Sequence, residues 1–389
     1  MGALIRRLLW LPVVLTLSGC WDIHYIENIN YITALGFDYA DNQFIAYGQM
    51  LDFSSVAKQE GSRKSTTPAV TWVGKGKGET FNMALNDFYR TAQQRILWSQ
   101  ITSIVITDRA LAHGTDEFND AITRYREIRF TPWVYATKEP MDQLFVTPAF
   151  FNLSELSTIE HEPIQNYKQR SWIKPISYLQ FASDIHEPGK TVIVPSITIN
   201  HSQWKRNDAK ESKMMVNGAY FITKDHYLGA LNENQLEGLR WMTPETVRSP
   251  ILIPAAQDSV DTLSLEHPKP KISTSFSSGE PTFSIAVELS GNVVELDTPM
   301  TETEMVKKAE AVVKQQIKQT YLAALKKKID IYQLEYFAYK DHYQEWSKLT
   351  KLHPFRLSES SLSDIQVKVK LLHSGLLDEM LDEKIEGAK

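Results

Sequence analysis

One cysteine constrains this chain more than any other feature. Cys20 is the only cysteine in 389 residues. That excludes an intrachain disulfide framework, a CxxC redox site and a zinc site built from several thiolates. The residues ahead of it indicate what a lone thiol does here. Arg6 and Arg7 precede a ten-residue apolar run, Leu8 to Leu17 (LLWLPVVLTL). A basic stretch followed by a short apolar one is the layout of a secretory signal. Ten residues fall short of the roughly 20 that a helix needs to span a bilayer. Leu17-Ser18-Gly19-Cys20 follows directly and reads as a bacterial lipobox. Its small residues let the chain lie extended in a peptidase cleft, and the thiol is the soft nucleophile that takes a diacylglyceryl group. Two acyl chains, at about 0.8 kcal/mol per buried methylene, suffice for stable anchoring.

Cleavage before Cys20 removes 19 of the 389 residues and leaves 370. Two arginines go and no acid does. The mature chain then carries 40 basic against 47 acidic side chains, a formal charge of −7 instead of −5. A strongly basic nucleic-acid surface is not expected. Apolar residues at 42% and charged residues at 23% belong to a globular body rather than a disordered one. No later apolar run approaches transmembrane length.

The hydrophobic pattern predicts three regions behind a signal peptide at 1–19. The first, 20–145, opens with a hairpin over Tyr31–Asp38 and Phe44–Leu51, turned at Asp41-Asn42. A polar loop over Ser54–Pro68 follows. Then comes a βαβαβ alternation. Its strands are Ala69–Val73, Ile101–Thr107 and Pro132–Thr137, and its helices are Glu79–Gln94 and Thr115–Glu127. Phe81, Ala84, Leu85, Phe88 and Ala92 share one helical face. Right-handed crossovers would make the three strands parallel. The second region, 146–212, is small, α+β and proline-rich. It holds a possible short helix at Pro175–Ser183 and a strand at Thr191–Ile199, where Pro195 suggests a sheet edge. The charged stretch Trp204–Lys213 reads as a linker.

The third region, 213–380, is α+β. Val216–Ile222 and Tyr227–Leu231 form a hairpin, followed by a short helix at Glu233–Leu239. Lys271–Phe276, Thr282–Leu289 and Val293–Leu296 read as antiparallel strands, with Ser290-Gly291-Asn292 as a turn. Thr301-Glu302-Thr303-Glu304 is a capping box opening a long helix. A second helix lies around Tyr332–Trp346. Ile365–Leu371 alternates as a strand with one wet face. The fold class is therefore mixed α/β and α+β: an N-terminal layer domain, a small middle domain, and a C-terminal antiparallel sheet with long helices.

Chemical motifs are few. Gly74-Lys-Gly-Lys-Gly-Glu79 lacks P-loop spacing and reads as tight-turn glycines with solvated lysines. His161-Glu162 and His186-Glu187 begin like a zinc-protease motif. Each runs straight into a proline, and neither has a histidine four residues on. No G-x-S-x-G elbow is present. Lys307, Lys308, Lys314, Lys318 and Lys326–Lys328 read as the wet side of the long helix.

Several segments together carry a resemblance. They are Gly218-Ala-Tyr-Phe221, Tyr227-Leu-Gly-Ala-Leu231, Glu237-Gly238-Leu239-Arg-Trp241 and Phe283–Glu288 with Glu295. Toward the N-terminus they include Gly19-Cys20-Trp21-Asp22, Glu27, Leu35-Gly36-Phe37-Asp38, Ile104-Val-Ile106 with Ala110-Leu-Ala112, and Arg124–Arg129. In this order they resemble the Ger(x)C lipoproteins, the C subunits of spore germinant receptors. The resemblance covers nearly the whole mature chain and is weakest over Phe145–Lys174. It implies three domains and no enzymatic activity. It also implies a lipid-anchored subunit on the outer face of the inner membrane of an endospore-forming bacterium, partnered by membrane-embedded A and B subunits. No catalytic residue, metal or cofactor is expected. The one site residue is Cys20, with diacylglycerol and N-acyl modification. The role implied is assembly or signal relay in nutrient-triggered germination. The alternative is a solute-binding lipoprotein of a nutrient transporter, which the capped long helix of the third region disfavours. An extracytoplasmic hydrolase would need a nucleophile or metal constellation that the motifs do not supply.

Overall fold

A computed structural model describes residues 29–51, 70–224, 226–254, 259–277, 280–296 and 300–373. Cys20, the signal segment, the loop at 54–68 and the C-terminal tail lie outside the described residues.

The chain opens with a meander of β1 (Ile29–Ala40), β2 (Gln43–Leu51) and β3 (Thr71–Gly78). Asp41 and Asn42 both take positive φ, 53° and 61°, as a two-residue hairpin turn of primed type requires. Helix α1 (Phe81–Asp87) follows, capped by Thr80, whose hydroxyl accepts from Met83 N at 3.2 Å. Next come β4 (Arg95–Leu97), β5 (Ser103–Thr107), α2 (Asp108–His113), α3 (Asp116–Arg124) and β6 (Trp133–Thr137). Strands β1, β5 and β6 run parallel, with every residue of β5 buried between its neighbours.

Two expectations are corrected here. The strand at 69–73 is not part of the parallel set. It is the start of β3, which pairs antiparallel with β2 on the far side of β1. Its glycines are not a tight turn either, because Gly74, Gly76 and Gly78 are strand residues facing α1. A Cβ on Gly76 would sit 2.1 Å from the Ala84 carbonyl oxygen, and one on Gly78 2.6 Å from Ala84 N. The period of two puts all three glycines on the helix side and sends Lys75 and Lys77 to the other. The motif is a smooth strip that lets helix and strand backbones touch.

The middle of the chain supplies α4 (Met141–Phe145), α5 (Pro163–Gln169), β7 (Ile176–Ser177), α6 (Tyr178–His186) and β8 (Val192–Arg206). Two strands follow, β9 (Ala209–Ile222) and β10 (Tyr227–Asn232). All ten strands so far form one sheet, ordered β10-β9-β8-β6-β5-β1-β2-β3, with β4 beside β1 and β7 beside β6. The stretch 204–213 is therefore no linker. Trp204 pairs with Glu211, and Arg206 with Ala209, as the arms of an exposed hairpin. Both faces of that hairpin's tip, 204–210, are wet, which is why its sequence is charged. Pro195 is not at an edge, since β8 lies between β9 and β6. Its pairing with β6 is a single bridge, Ala136 to Ser196, so a missing amide is tolerated there.

One face of this sheet packs Leu35, Phe37, Ile104, Ile106, Val192 and Val194 under α1, α3 and α6. The opposite face packs Ala34, Val105, Tyr135 and Ile197 under α4.

The second sheet has the order β11 (Ser249–Pro254), β12 (Val260–Ser277), β13 (Glu280–Glu295), β14 (Leu362–His373). The first three strands are antiparallel, and β14 runs parallel to β13. The expected all-antiparallel sheet is thus mixed. A parallel return needs a crossover, and three helices provide it: α7 (Glu302–Leu325), α8 (Leu334–Asp341) and α9 (Tyr343–Leu352). Ser290-Gly291-Asn292 is not a turn. It is paired on one side with β12 and on the other with β14, so β13 passes through it unbroken.

Thr301 and Glu304 cap α7 reciprocally: Glu304 N donates to Thr301 Oγ1 at 3.3 Å, and Thr301 N to Glu304 Oε2 at 3.2 Å. Met305, Ala309, Val313, Ile317, Tyr321 and Ala324 form its buried stripe against Leu263, Leu265, Ile285 and Val287.

The glycine strip makes a sharp prediction. Gly76→Ala should destabilise the protein by at least about 2 kcal/mol through overpacking. Lys75→Ala, one residue away on the open side, should change stability by less than about 0.5 kcal/mol. Urea unfolding of both variants checks this.

Candidate functional site

Two polar constellations stand out against these cores. The first joins the two sheets. After β10 the chain makes a short 3-10 turn, Leu239–Met242. Gly238 brings it against α7, where a Cβ would lie 2.5 Å from the Gln316 carbonyl oxygen. Gly238 N donates to Thr320 Oγ1 at 2.9 Å, and Trp241 Nε1 to Gln316 Oε1 at 2.8 Å. Arg240 is 2% exposed and makes no ion pair with a carboxylate among the described residues. Its guanidinium lies 3.9 Å from the Trp172 ring centre and 4.5 Å from that of Trp241. Nη2 donates to Gln316 Oε1 at 3.3 Å, while Nε and Nη1 find no partner among the described residues. Burial pulls its pKa down to about 9, so it stays a cation at neutral pH. The faces of two indoles, with the charges of Glu237 and Glu233 nearby, favour the cation.

Arg170 lies against the same Trp172 ring and pairs with Glu233. Lys174 reaches Glu245 at 2.5 Å. Ser171 Oγ accepts from Val247 N at 3.1 Å and Arg248 N at 3.3 Å. Residues 170–174 are thus a strap laced across the junction. Of these residues, Glu237–Trp241 stand out in the sequence. Trp172 lies in its least legible stretch, and nothing local marks it as the ring that seats Arg240.

The second constellation is sealed beneath α4. Thr33 Oγ1 donates to Gln49 Oε1 at 2.8 Å, and Gln49 Nε2 donates to Phe145 O at 2.8 Å. His161 holds Thr102 Oγ1 through Nδ1 at 2.6 Å and Gln49 Oε1 through Nε2 at 3.0 Å. With both ring nitrogens occupied and burial pushing its pKa down to about 3, His161 is a neutral structural residue. The His161-Glu162 pair indeed precedes a helix opened by Pro163, rather than riding on one. Next to it, Glu160 is fully buried, and neither carboxyl oxygen finds a hydrogen-bond partner among the described residues. Burial raises its pKa to about 8. Ser103 offsets part of that rise and the nearby Glu155 carboxyl adds to it. At neutral pH this acid keeps its proton. A cluster closed to solvent offers no substrate a way in.

Among the described residues no group of three His, Cys, Asp or Glu side chains is placed to hold a metal. No helix among them is long and apolar enough to cross a membrane. The expected site residue, Cys20, lies outside the described residues, so no geometry bears on it.

Comparison with known proteins matches this architecture. Residues 22–199 fit the family model described as the spore germination protein N-terminal domain. Residues 217–375 fit the model described as spore germination B3/GerAC-like, C-terminal. The chain belongs to this spore germination family. A putative spore germination protein of Bacillus subtilis (strain 168), YfkR, is 21% identical over 227 residues. The match takes in 58% of this chain and 57% of that protein. The chain thus spans little more than half the length of that relative. The crystal structure of the GerBC protein superposes with a TM-score of 0.50 at 14% identity, over 90% of this chain and all of that one. At that identity the likeness concerns the fold.

Two predictions come from the constellations. Below pH 8 the folded state holds a proton on Glu160 that the unfolded chain releases above about 4.5. Glu160 therefore lowers stability as pH rises through that window. His161 acts oppositely, lowering stability as pH falls from 6.5 toward 3. Glu160→Gln should match the parent near pH 4.5 and exceed it by about 4 kcal/mol at pH 8. Thermal unfolding across that range reads this. At the junction, Trp172→Ala should cost about 3 kcal/mol. In an Arg240→Met background it should cost about 1 kcal/mol less, because the cation–π contact is already gone. A double-mutant cycle in denaturant measures that coupling.

Proposed function

We propose that this protein is a non-enzymatic, lipid-anchored subunit of a spore germinant receptor. The observation that carries the reading is the tandem match of both family models, at 22–199 and 217–375. The first match begins two residues beyond Cys20. On this reading Cys20 becomes the first residue of the mature chain. It carries the diacylglyceryl and N-acyl groups and holds the body on the outer face of the inner membrane. The partners are the membrane-embedded A and B subunits, and the role is assembly or signal relay in nutrient-triggered germination. Supporting it is where the polar residues sit. Glu160 and His161 are sealed in a core, and Arg240 is spent in a junction. Extended interfaces suit such a body better than a reaction centre does.

Cys20→Ala should leave the fold intact, shift the protein from the membrane to the soluble fraction, and impair germination through its receptor. Fractionation and a germination assay on the same spores read the outcome. Normal germination with the variant still membrane-bound would sink the anchor reading.

A further inference from the structure

The end of the first sheet where β1 starts carries a feature that neither the cores nor the junction uses. β4 runs beside β1 with Arg95 paired to Ile29, the first described residue. There a cleft of about 650 Å³ opens between α1 with the turn that follows it and the end of α3. Trp98, Tyr89 and Tyr125 make its floor. Trp98 Nε1 donates to Tyr89 Oη at 2.9 Å, and the Trp98 and Tyr125 rings meet edge to face at 5.8 Å. Three guanidinium groups line it, those of Arg95, Arg124 and Arg126, against one carboxylate, that of Glu127.

These charges are unequally engaged. Arg124 spends its Nε on Asp120, at 2.6 and 2.7 Å, and those bonds leave its two terminal nitrogens unused. Arg95 meets Glu127 at 3.6 Å, and Glu127 also accepts from Trp98 N at 3.4 Å. Arg126 is exposed and makes no ion pair or hydrogen bond with the described residues. Helix α3 presents its C-terminal, partially negative end to the cleft. Arginines therefore have a dipole to offset, but Arg95 and Arg126 belong to no helix and exceed that need. A cluster of planar forks over an aromatic floor recognises a phosphate carried on a larger, partly apolar group.

Position identifies the source. Eight residues lie between Cys20 and Ile29, nine steps of the chain, so the β1 end beside the cleft lies within about 30 Å of an acylated Cys20. We propose that the cleft seats the phosphate of an anionic phospholipid headgroup and so fixes the β1 end of the sheet against the bilayer. The inference rests on the anchored reading for its location, but its chemistry can be tested without the anchor.

The test uses the full chain carrying Cys20→Ala, purified in a nonionic detergent, so that no attached lipid contributes. Calorimetry would follow dihexanoyl phosphatidylglycerol, dihexanoyl phosphatidylcholine and inorganic phosphate in turn. The expected result is saturable one-to-one binding of the phosphatidylglycerol, weakened at least tenfold by Arg126→Glu and by added salt. Arg126 is exposed and makes no ion pair or hydrogen bond with the described residues, so the variant should unfold at the parent temperature. Equal binding of the phosphatidylcholine would overturn the proposal. So would displacement by inorganic phosphate at the same concentration, which would mark a free-phosphate site, or undiminished binding by Arg126→Glu. Loss of the membrane anchor in spores would be seen only in the Cys20→Ala fractionation, so the two failures are separable.

Discussion

The last five residues of strand β9, 218–222, have two dry faces, and the arrangement of the whole molecule depends on them. Tyr220 and Ile222 point into the core under α1, α3 and α6, while Ala219 and Phe221 point into the core of the second sheet and α7. A strand alternates its side chains with a period of two, so a single strand can serve two cores only if both parities are apolar. The run Gly218-Ala-Tyr-Phe-Ile222 meets that condition. Leu231 on β10 extends the second face, and Tyr227 and Ala230 pack toward the first. The two sheets are thus not beads on a flexible tether. They share a wall, and the strap at 170–174 and the Arg240 stack close its rim.

This shared wall explains why the junction tolerates a buried cation. Apolar packing on β9 and β10 already holds the bodies together, so Arg240 need not supply net stability. A desolvated charge between two indoles is a poor source of stability and a good source of orientation, because it is satisfied in only one arrangement of its rings. The Glu160 cluster likewise sits where β1, β2 and β5 are fixed by their neighbours. There the fold, rather than the site, bears the cost of dehydrating an acid.

Much of this was legible in the sequence, for identifiable reasons. The Asp41-Asn42 turn, the Thr301–Glu304 cap and the β14 alternation each carry their cause within a few residues. What failed to read locally depends on partners far away in the chain. The glycines at 74, 76 and 78 look like a loop until α1 is seen lying on them. Ser290-Gly291-Asn292 carries turn chemistry, but pairing on both flanks overrides it. The charged hairpin at 204–213 resembles a linker because neither face of its tip, 204–210, is buried. The partners of Arg240 lie at 172 and 316, and no short window contains them. Glu160 has no local signature at all, since its burial is made by β1, β5 and the turns that follow α4. Cys20 is the opposite case: wholly legible as sequence and outside the described structure.

The single bridge between β6 and β8 has a mechanical meaning. β1, β5, β6 and β8 point the same way, so the start of β1 and the tip of the β8–β9 hairpin are opposite ends of one sheet. The tip, with Trp204 exposed, stands roughly 33 Å beyond Ser196 along the strand. A pull between those ends loads the ladders along the strand axis, where many hydrogen bonds share it. Between β5 and β6 five residue pairs carry that load, but between β6 and β8 one does. The seam between β6 and β8 is therefore where the sheet would slip first, and the packing beneath Ile197 and Val194, with the Thr137 Oγ1 bond to Ile197 O at 2.8 Å, is what resists it there.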